Sequence, residues 1–349
     1  METGAPGAQC DEEVLFVSSR PGPNLTGGTP LRGLDEEQVL GRILPLFRSS
    51  PDLIVPPGDD AAVLATKDRT IVTTDTVVLG RDWLDEWSSG ADVGHKVVAQ
   101  NLADVAAMGG RPTGVLVTLV TDPMVSVDWV VDLGRGIAEA CDRAGVVVLG
   151  GDLSSAPPGV VMVSITALGD LTGAPVLRSG ARDGDRLAVC GSLGLAAAGL
   201  QLLQQDQAQR HTTAVATQRR PTPPLEAGPQ AAAAGASAML DLSDGLLRDG
   251  GRIARASGVV LELDPEALAS EVAGVSGAVG DEAAWDCVLA GGEEHSLLAT
   301  FPGDVPDGWR VIGSVRAPRA DEAPGVHIEG RRPRHTGWDH FTNGEGRRP

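Results

Sequence analysis

The five residues LTGAP, 171–175, split the chain into two runs that each alternate between strand-like and helix-like apolar patterns. Before them, strands are predicted at 61–66 (AAVLAT), 70–75 (TIVTTD), 114–120 (GVLVTLV), 146–149 and 160–168. Helices are predicted from about Leu34, over 91–110 and at about 127–144. After them come strands at 185–191, running into Asp241, and at 259–264, 296–301 and 309–315, with helices at 193–205, near 226–237 and at 245–257. Several strands are sequence neighbours, which points to mixed rather than wholly parallel sheets. The pattern predicts an α/β (α+β) chain of two domains, each a mixed sheet with flanking helices. At 349 residues the chain is long for one core and comfortable for two. Residues 1–33, rich in Gly, Pro, Ser and Thr, read as a disordered tail, 34–172 as the N-terminal domain and 173–345 as the C-terminal one.

Within the first run, Val93, Val97, Leu102, Val105 and Met108 recur at helical spacing and Gly109-Gly110 supply the stop. The segment 91–110 therefore reads as an amphipathic helix, with His95 on its surface and Asp104 on the face away from the apolar stripe. Residues 206–224, polar and proline-containing, read as a loop.

Charge narrows the partners. Lys and Arg total 28 against 47 Asp and Glu, a formal net charge of −19, which argues against nucleic acid or an anionic membrane. A phosphate-bearing substrate must then be met by metal ions or by local Arg, Lys and backbone N–H groups. Cys10, Cys141, Cys190 and Cys287 are far apart and form no C-x-x-C pair. The opening METGAPGAQCDEE has neither a basic start nor an apolar run, and the longest apolar runs are too short to span a bilayer. A reduced, cytoplasmic protein is expected.

No G-x-x-x-x-G-K-[ST] loop is present, and the glycines at 191, 194 and 199 miss the dinucleotide-binding spacing. The six histidines are scattered and suggest no Ser-His-Asp or Cys-His arrangement. Carboxylates at glycine-rich turns carry the stronger signal: PGDDAAVL (57–64), TTDT (73–76), NLAD (101–104), GGDLSS (150–155), LDLSDGLLRDGG (240–251) and GGEEHS (291–296). Mg²⁺ prefers carboxylate and hydroxyl oxygen plus water and shares its shell with substrate phosphates. In TTDT a strand puts Thr73 and Asp75 on one face and Thr74 on the other, so metals on both sides can be served. Taken singly, each cluster has a plainer reading: Asp59 and Asp60 as turn formers, Asp244 as a helix cap, Asp104 as a solvated helix residue.

The joint pattern says more. GDDAAVL, TTDT, K-x-x-x-x-NLADVAAMG, GGDLSS, LRSGARDGD, DLSDGL and GGEE, in that order, resemble the thiamine-monophosphate kinase family from about Leu34 to Phe341, where GWDHF also fits. The resemblance implies the two-domain fold shared with aminoimidazole ribonucleotide synthetase, with an N-terminal domain that binds ATP and Mg²⁺ and forms a homodimer. It implies transfer of the γ-phosphoryl group of ATP to thiamine monophosphate. By motif, the Mg²⁺ positions are Asp60, Thr73, Thr74, Asp75, Asp104, Asp152, Asp241 and Asp244, and the nucleotide contacts are Gly151, Asp152, Arg178 and Ser243. Glu293 and Trp338 match acceptor contacts, and the indole of Trp338 suits a thiazolium cation. Asp75, Asp152 and Arg178 are the expected catalytic set.

Two positions depart from the family pattern. Asp82 stands where a histidine is common, and Glu294 where aspartate is usual. A carboxylate beside a substrate phosphate is repulsive unless a metal or Arg81 intervenes, so Arg81 and Asp82 are both expected at the acceptor. Two alternatives stay open at this point: a kinase of the same fold acting on another phosphorylated small molecule, and a non-catalytic regulator that binds ATP and Mg²⁺.

Overall fold

The computed structural model describes residues 25, 27–34, 36–55, 63–331 and 333. Helix α1 (Glu36–Ile43) and a short antiparallel pair, β1 (Leu53–Val55) and β2 (Val63–Leu64), come first. Then follow β3 (Arg69–Val78), α2 (Gly90–Ala107), β4 (Arg111–Thr121), α3 (Val127–Ala144), β5 (Val147–Ser155) and β6 (Val161–Leu171). The strands β3-β6-β4-β5 form a four-stranded sheet in that order, antiparallel except for β4 with β5. One face of this sheet is covered by α2, because Ile71, Thr73, Asp75 and Val77 alternate with the outward Val72, Thr74 and Thr76. Helices α2 and α3 pack almost backbone to backbone: a Cβ on Gly94 would stand 2.5 Å from the Leu133 carbonyl oxygen.

The second sheet is built from β7 (Arg186–Cys190), β8 (Ala238–Leu242), β9 (Val260–Leu263), β10 (Ser296–Phe301), β11 (Arg310–Arg316) and β12 (Gly325–Ile328). Its order is β12-β9-β11-β7-β10-β8, antiparallel except for β9 with β12. The helices that flank it are α4 (Leu195–Gln204), α5 (Thr212–Arg219), α6 (Ala227–Ala233), α7 (Leu246–Ser257), α8 (Pro265–Val279) and α9 (Asp281–Ala290). Two mixed sheets with flanking helices match the fold class expected from the sequence. Cys141 and Cys287 are free and buried, and burial pushes their thiols up to about 12 and about 11, far from reactive values.

Several local expectations need correction. Helix α2 is buried nearly all round, because it touches β3, β4 and β6 of one sheet and β8 and β10 of the other. A helix with partners on opposite sides has no solvent face, so its polar residues find protein partners instead. His95 is accordingly not a surface residue but 2% exposed, with Nε2 3.0 Å from Glu139 and Nδ1 accepting from Arg143 at 2.5 Å. Residues 206–224 are not a plain loop, since α5 lies within them. Strand β5 runs on to Ser155, so Gly150, Gly151 and Asp152 lie inside a strand rather than after one. Leu31, within the segment read as a tail, is buried and its N–H donates to Val125 at 2.9 Å.

Candidate active site

Thr73 and Asp75 leave β3 on the face that meets α2. Thr73 Oγ1 donates to Asp104 Oδ2 at 2.7 Å, and the Asp75 N–H donates to Asn101 Oδ1 at 2.9 Å. Asn101 is fully buried and donates in turn to the Val97 carbonyl at 2.7 Å. Asn101 and Asp104 are one helical turn apart, which puts both side chains on the side of α2 that faces β3. Asp241, near the end of β8, approaches from the second sheet. Burial first, and the charge of Asp241 second, push the Asp104 carboxyl above its ordinary range, while Thr73, His295 and Arg178 oppose the shift. Asp75, Asp104 and Asp241 thus come together from three segments, with the Arg178 cation close enough to act on Asp104.

His295 completes this cluster and has no counterpart in the sequence reading. Its Nδ1 lies 3.0 Å from Asp241 Oδ2 in a buried pair, and its backbone sits at φ 54°, a conformation rare outside glycine. Burial works against its charged form, but Asp241, Glu293 and Asp75 outweigh that and raise its pKa.

The turn after β8 holds Ser243 and Asp244. Asp244 is gripped by Arg252 at 2.5 Å and Arg248 at 3.5 Å, and it does not cap α7, whose N-cap is Gly245 with no side-chain bond. The organiser of the turn is Asp249, fully buried, which accepts from the N–H groups of Asp244 at 2.8 Å and Gly245 at 3.0 Å. Burial, with Arg252 opposing, raises its carboxyl to about 7. The Glu293 N–H donates to the Ser243 carbonyl at 3.0 Å, so DLSDG and GGEE form the two sides of one junction.

Asp152 lies elsewhere. The register runs Asp152, Thr118, Ser164, Thr76 across four strands. Three strand spacings, about 14 Å in all, therefore separate Asp152 from the β3 row. Asp152 shares the outer face with Thr74 and Thr76 and accepts from Ser154 at 2.7 Å, while Thr74 Oγ1 donates to the Ile165 carbonyl at 2.9 Å. Gly151 is obligatory here, because any Cβ would run into the Val117 carbonyl. Asp60 and Trp338 lie outside the described residues.

A narrow cleft next to the aspartates is lined by Arg81, Asp82, Trp87, Lys96, Gln218 and Glu293 among others. Lys96 Nζ is 3.1 Å from Glu293 Oε2. Burial would raise the Glu293 carboxyl, but Lys96 and a hydrogen bond from Gln218 hold it below its ordinary value. Asp82 turns its carboxylate back to accept from the Val78 N–H at 2.8 Å. Lys96, Gln218 and Asp249 are functional candidates that the sequence reading did not assign.

Among the described residues no three His, Cys, Asp or Glu side chains gather tightly enough to hold a metal ion by themselves. Carboxylate and hydroxyl donors nevertheless suit Mg²⁺, which keeps water and substrate phosphate in its shell. The elevated Asp104 carboxyl fits this too, since a bound cation relieves the same repulsion.

Residues 58–171 match the family described as AIR synthase related protein, N-terminal domain, which gives the class of that part of the chain. The thiamine-monophosphate kinase of Mycobacterium tuberculosis is 43% identical over 304 residues, spanning 83% of this chain and 87% of that one. That of Corynebacterium glutamicum is 38% identical, spanning 81% and 88%. The solved structure of AaThiL complexed with AMPPCP and TMP superposes with a TM-score of 0.71 at 30% identity, covering 81% of this chain and 91% of that one. The chain belongs to the thiamine-monophosphate kinase family. Among the described residues no helix is long and apolar enough to cross a membrane.

Proposed function

We propose that the protein, acting in the cytoplasm, transfers the γ-phosphoryl group of ATP to thiamine monophosphate, yielding thiamine diphosphate and ADP. The observation that supports this most is the meeting of Asp75, Asp104 and Asp241 with Arg178 beside a cleft that carries Arg81. The acceptor brings its own anionic phosphate oxygen, so no strong base is required. That oxygen attacks the γ-phosphorus in line. The new P–O bond forms as the bond to the β,γ-bridging oxygen breaks, and ADP leaves with the electron pair. The protein's task is to hold two polyanions together in that geometry.

Mg²⁺, when bound, supplies charge neutralisation for the phosphates. Asp75, Asp104 and Asp241 with Thr73 would hold it on one face of β3 and Thr74 on the other, joined by Asp60, Asp152 and Asp244 from the sequence pattern. Thr73 and Asn101 fix Asp104 and the Asp75 backbone in place. Arg178 adds a permanent cation, and Gly151 and Ser243 border the nucleotide. Arg81 meets the acceptor phosphate, Glu293 and Trp338 meet the acceptor ring system, and Asp82 keeps its charge on the Val78 N–H.

A homodimer through the outer face of the four-stranded sheet belongs to the same reading. Val72 and Leu116, 63% and 40% exposed, lie on that face, and β3 and β5 are its two edges. Two such sheets related by a two-fold axis along the strands would set β5 of one copy beside β3 of the other, bringing Asp152 to the Thr74 face of the second copy's edge strand, the strand that carries Asp75 on its other face. Residues 34–172 are then the ATP-binding, dimerising domain and 173–345 the domain that closes the site. Incubation with ATP, Mg²⁺ and thiamine monophosphate is expected to give thiamine diphosphate and ADP in equal amounts. ADP formed only with a different phosphorylated acceptor would replace thiamine monophosphate in this reading.

A further inference from the structure

We infer that Gln218 sets acceptor specificity, its side-chain carbonyl oxygen receiving a hydrogen bond from an exocyclic amino group on the acceptor's heteroaromatic ring. The inference rests on the acceptor cleft proposed above. Gln218 sits at the end of α5, is 6% exposed, and lines the cleft together with Arg81 and Glu293. Its amide orientation follows from chemistry: it bonds Glu293, and a carboxylate only accepts, so Nε2 faces Glu293. Oε1 therefore points away from that carboxylate. It is buried and has no hydrogen-bond partner among the described residues. Buried amide oxygens are rarely left unpaired, and a ligand is one of the few sources of a partner.

The acceptor identifies that partner. Thiamine monophosphate carries an anionic phosphate, a thiazolium cation and an aminopyrimidine. Its hydroxyl is esterified, so the amino group is its one N–H or O–H donor when the phosphate is ionised. With Arg81 meeting the phosphate and the Glu293 carboxylate facing the cation, the amino group is left to pair with Gln218. The site then distinguishes this ring from one without the amino group, since a buried acceptor rejects a ligand that cannot pair with it.

The test compares thiamine monophosphate with its 4′-deamino analogue in the wild-type protein and in Gln218→Met. Wild type is expected to prefer the amino acceptor by roughly tenfold in kcat/KM, the effect of one buried hydrogen bond. Gln218→Met is expected to lose that preference while the KM for ATP stays unchanged. Preference undiminished in the variant overturns the inference. Should the variant not fold, equal affinity of the wild-type protein for the two acceptors overturns it as well. Wild-type protein that binds thiamine monophosphate better than the analogue yet transfers no phosphate removes the proposed activity and leaves this inference standing. Binding of neither acceptor removes both.

Discussion

Glu294 accepts a hydrogen bond from the backbone N–H of Ala196, 2.9 Å away and 98 residues earlier in the chain. Ala196 lies in the first turn of α4, whose N-cap is Gly194 at φ 82° and makes no side-chain cap bond. The helix N-terminus has orphan donors and no local acceptor, and Glu294 supplies one from the far side of the junction. Its carboxylate is thereby spent on the fold. The acidic residue that looked hostile to a substrate phosphate is 4% exposed and committed to the helix end.

That arrangement gives a pH dependence. Burial raises the Glu294 carboxyl to about 7 from an ordinary 4.5, with the Ala196 N–H opposing. The folded protein therefore binds this proton more tightly than the unfolded chain, and the stability it contributes falls as pH rises from 4.5 through 7. Glu294→Gln keeps an acceptor for Ala196 and removes the titration. Its Tm is expected to match wild type near pH 5 and to exceed it at pH 8. A difference that is constant with pH would contradict the assignment.

Arg81 and Asp82 are adjacent in sequence but separate in task. The Asp82 carboxylate is used by the Val78 N–H, which leaves Arg81 as the cation at that end of the cleft. Arg81→Ala is expected to raise the KM for thiamine monophosphate by roughly 10–100-fold, the size of a charge-assisted hydrogen bond, and to leave the KM for ATP nearly unchanged. Asp82→Asn, which retains an acceptor for Val78, should alter neither by more than about twofold. Steady-state kinetics with each substrate varied in turn decide both.

Some of this was legible in the sequence. Helix α3 is expected and found at Val127–Ala144, because Ser126 caps its start and Gly145, at φ 70°, ends it. The alternation of Thr73, Thr74 and Asp75 is also a local property, and β3 keeps it. The surroundings of His95 are not local. They depend on α2 lying between two sheets, a relation between distant segments. Helix α5 hides among Thr, Gln and Arg, and α8 has Leu268, Val272, Val275 and Val279 at helical spacing, diluted by the Ala, Gly and Ser between them. The distance from Asp152 to Asp75 follows from the strand order β3-β6-β4-β5, which no local pattern encodes.

Asp104 stands between function and stability. It is partly buried, faces Asp241, and has Thr73 as a neutral partner. Asp104→Asn keeps an acceptor for Thr73 and removes the repulsion. Without added Mg²⁺ the variant is expected to unfold at a higher temperature than wild type at pH 7, while turnover falls by about 100-fold or more. Asp75→Asn should lose turnover to a similar degree with little change in stability. Near-normal turnover of either variant at limiting Mg²⁺ would remove these carboxylates from the phosphate-binding role.

The separation of Asp152 from Asp75 makes a sharper test of the dimer. Within one copy they stand on opposite edge strands and opposite faces of the sheet, about 14 Å apart by strand spacing. A site that needs both must borrow one of them from a second copy. Asp75→Asn and Asp152→Asn are each expected to be inactive as homodimers. When the two are unfolded together and refolded as a mixture, half of the dimers should be mixed. In each mixed dimer one site carries both substitutions and the other carries neither. Activity should therefore recover to about a quarter of wild type, as symmetry requires of a shared site. Substituting the same two residues together in one chain and mixing it with wild type should give no such gain over dilution. Mixtures of the single variants that stay inactive, although sedimentation shows mixed dimers, would mean that each copy builds its site alone and that Asp152 serves another purpose.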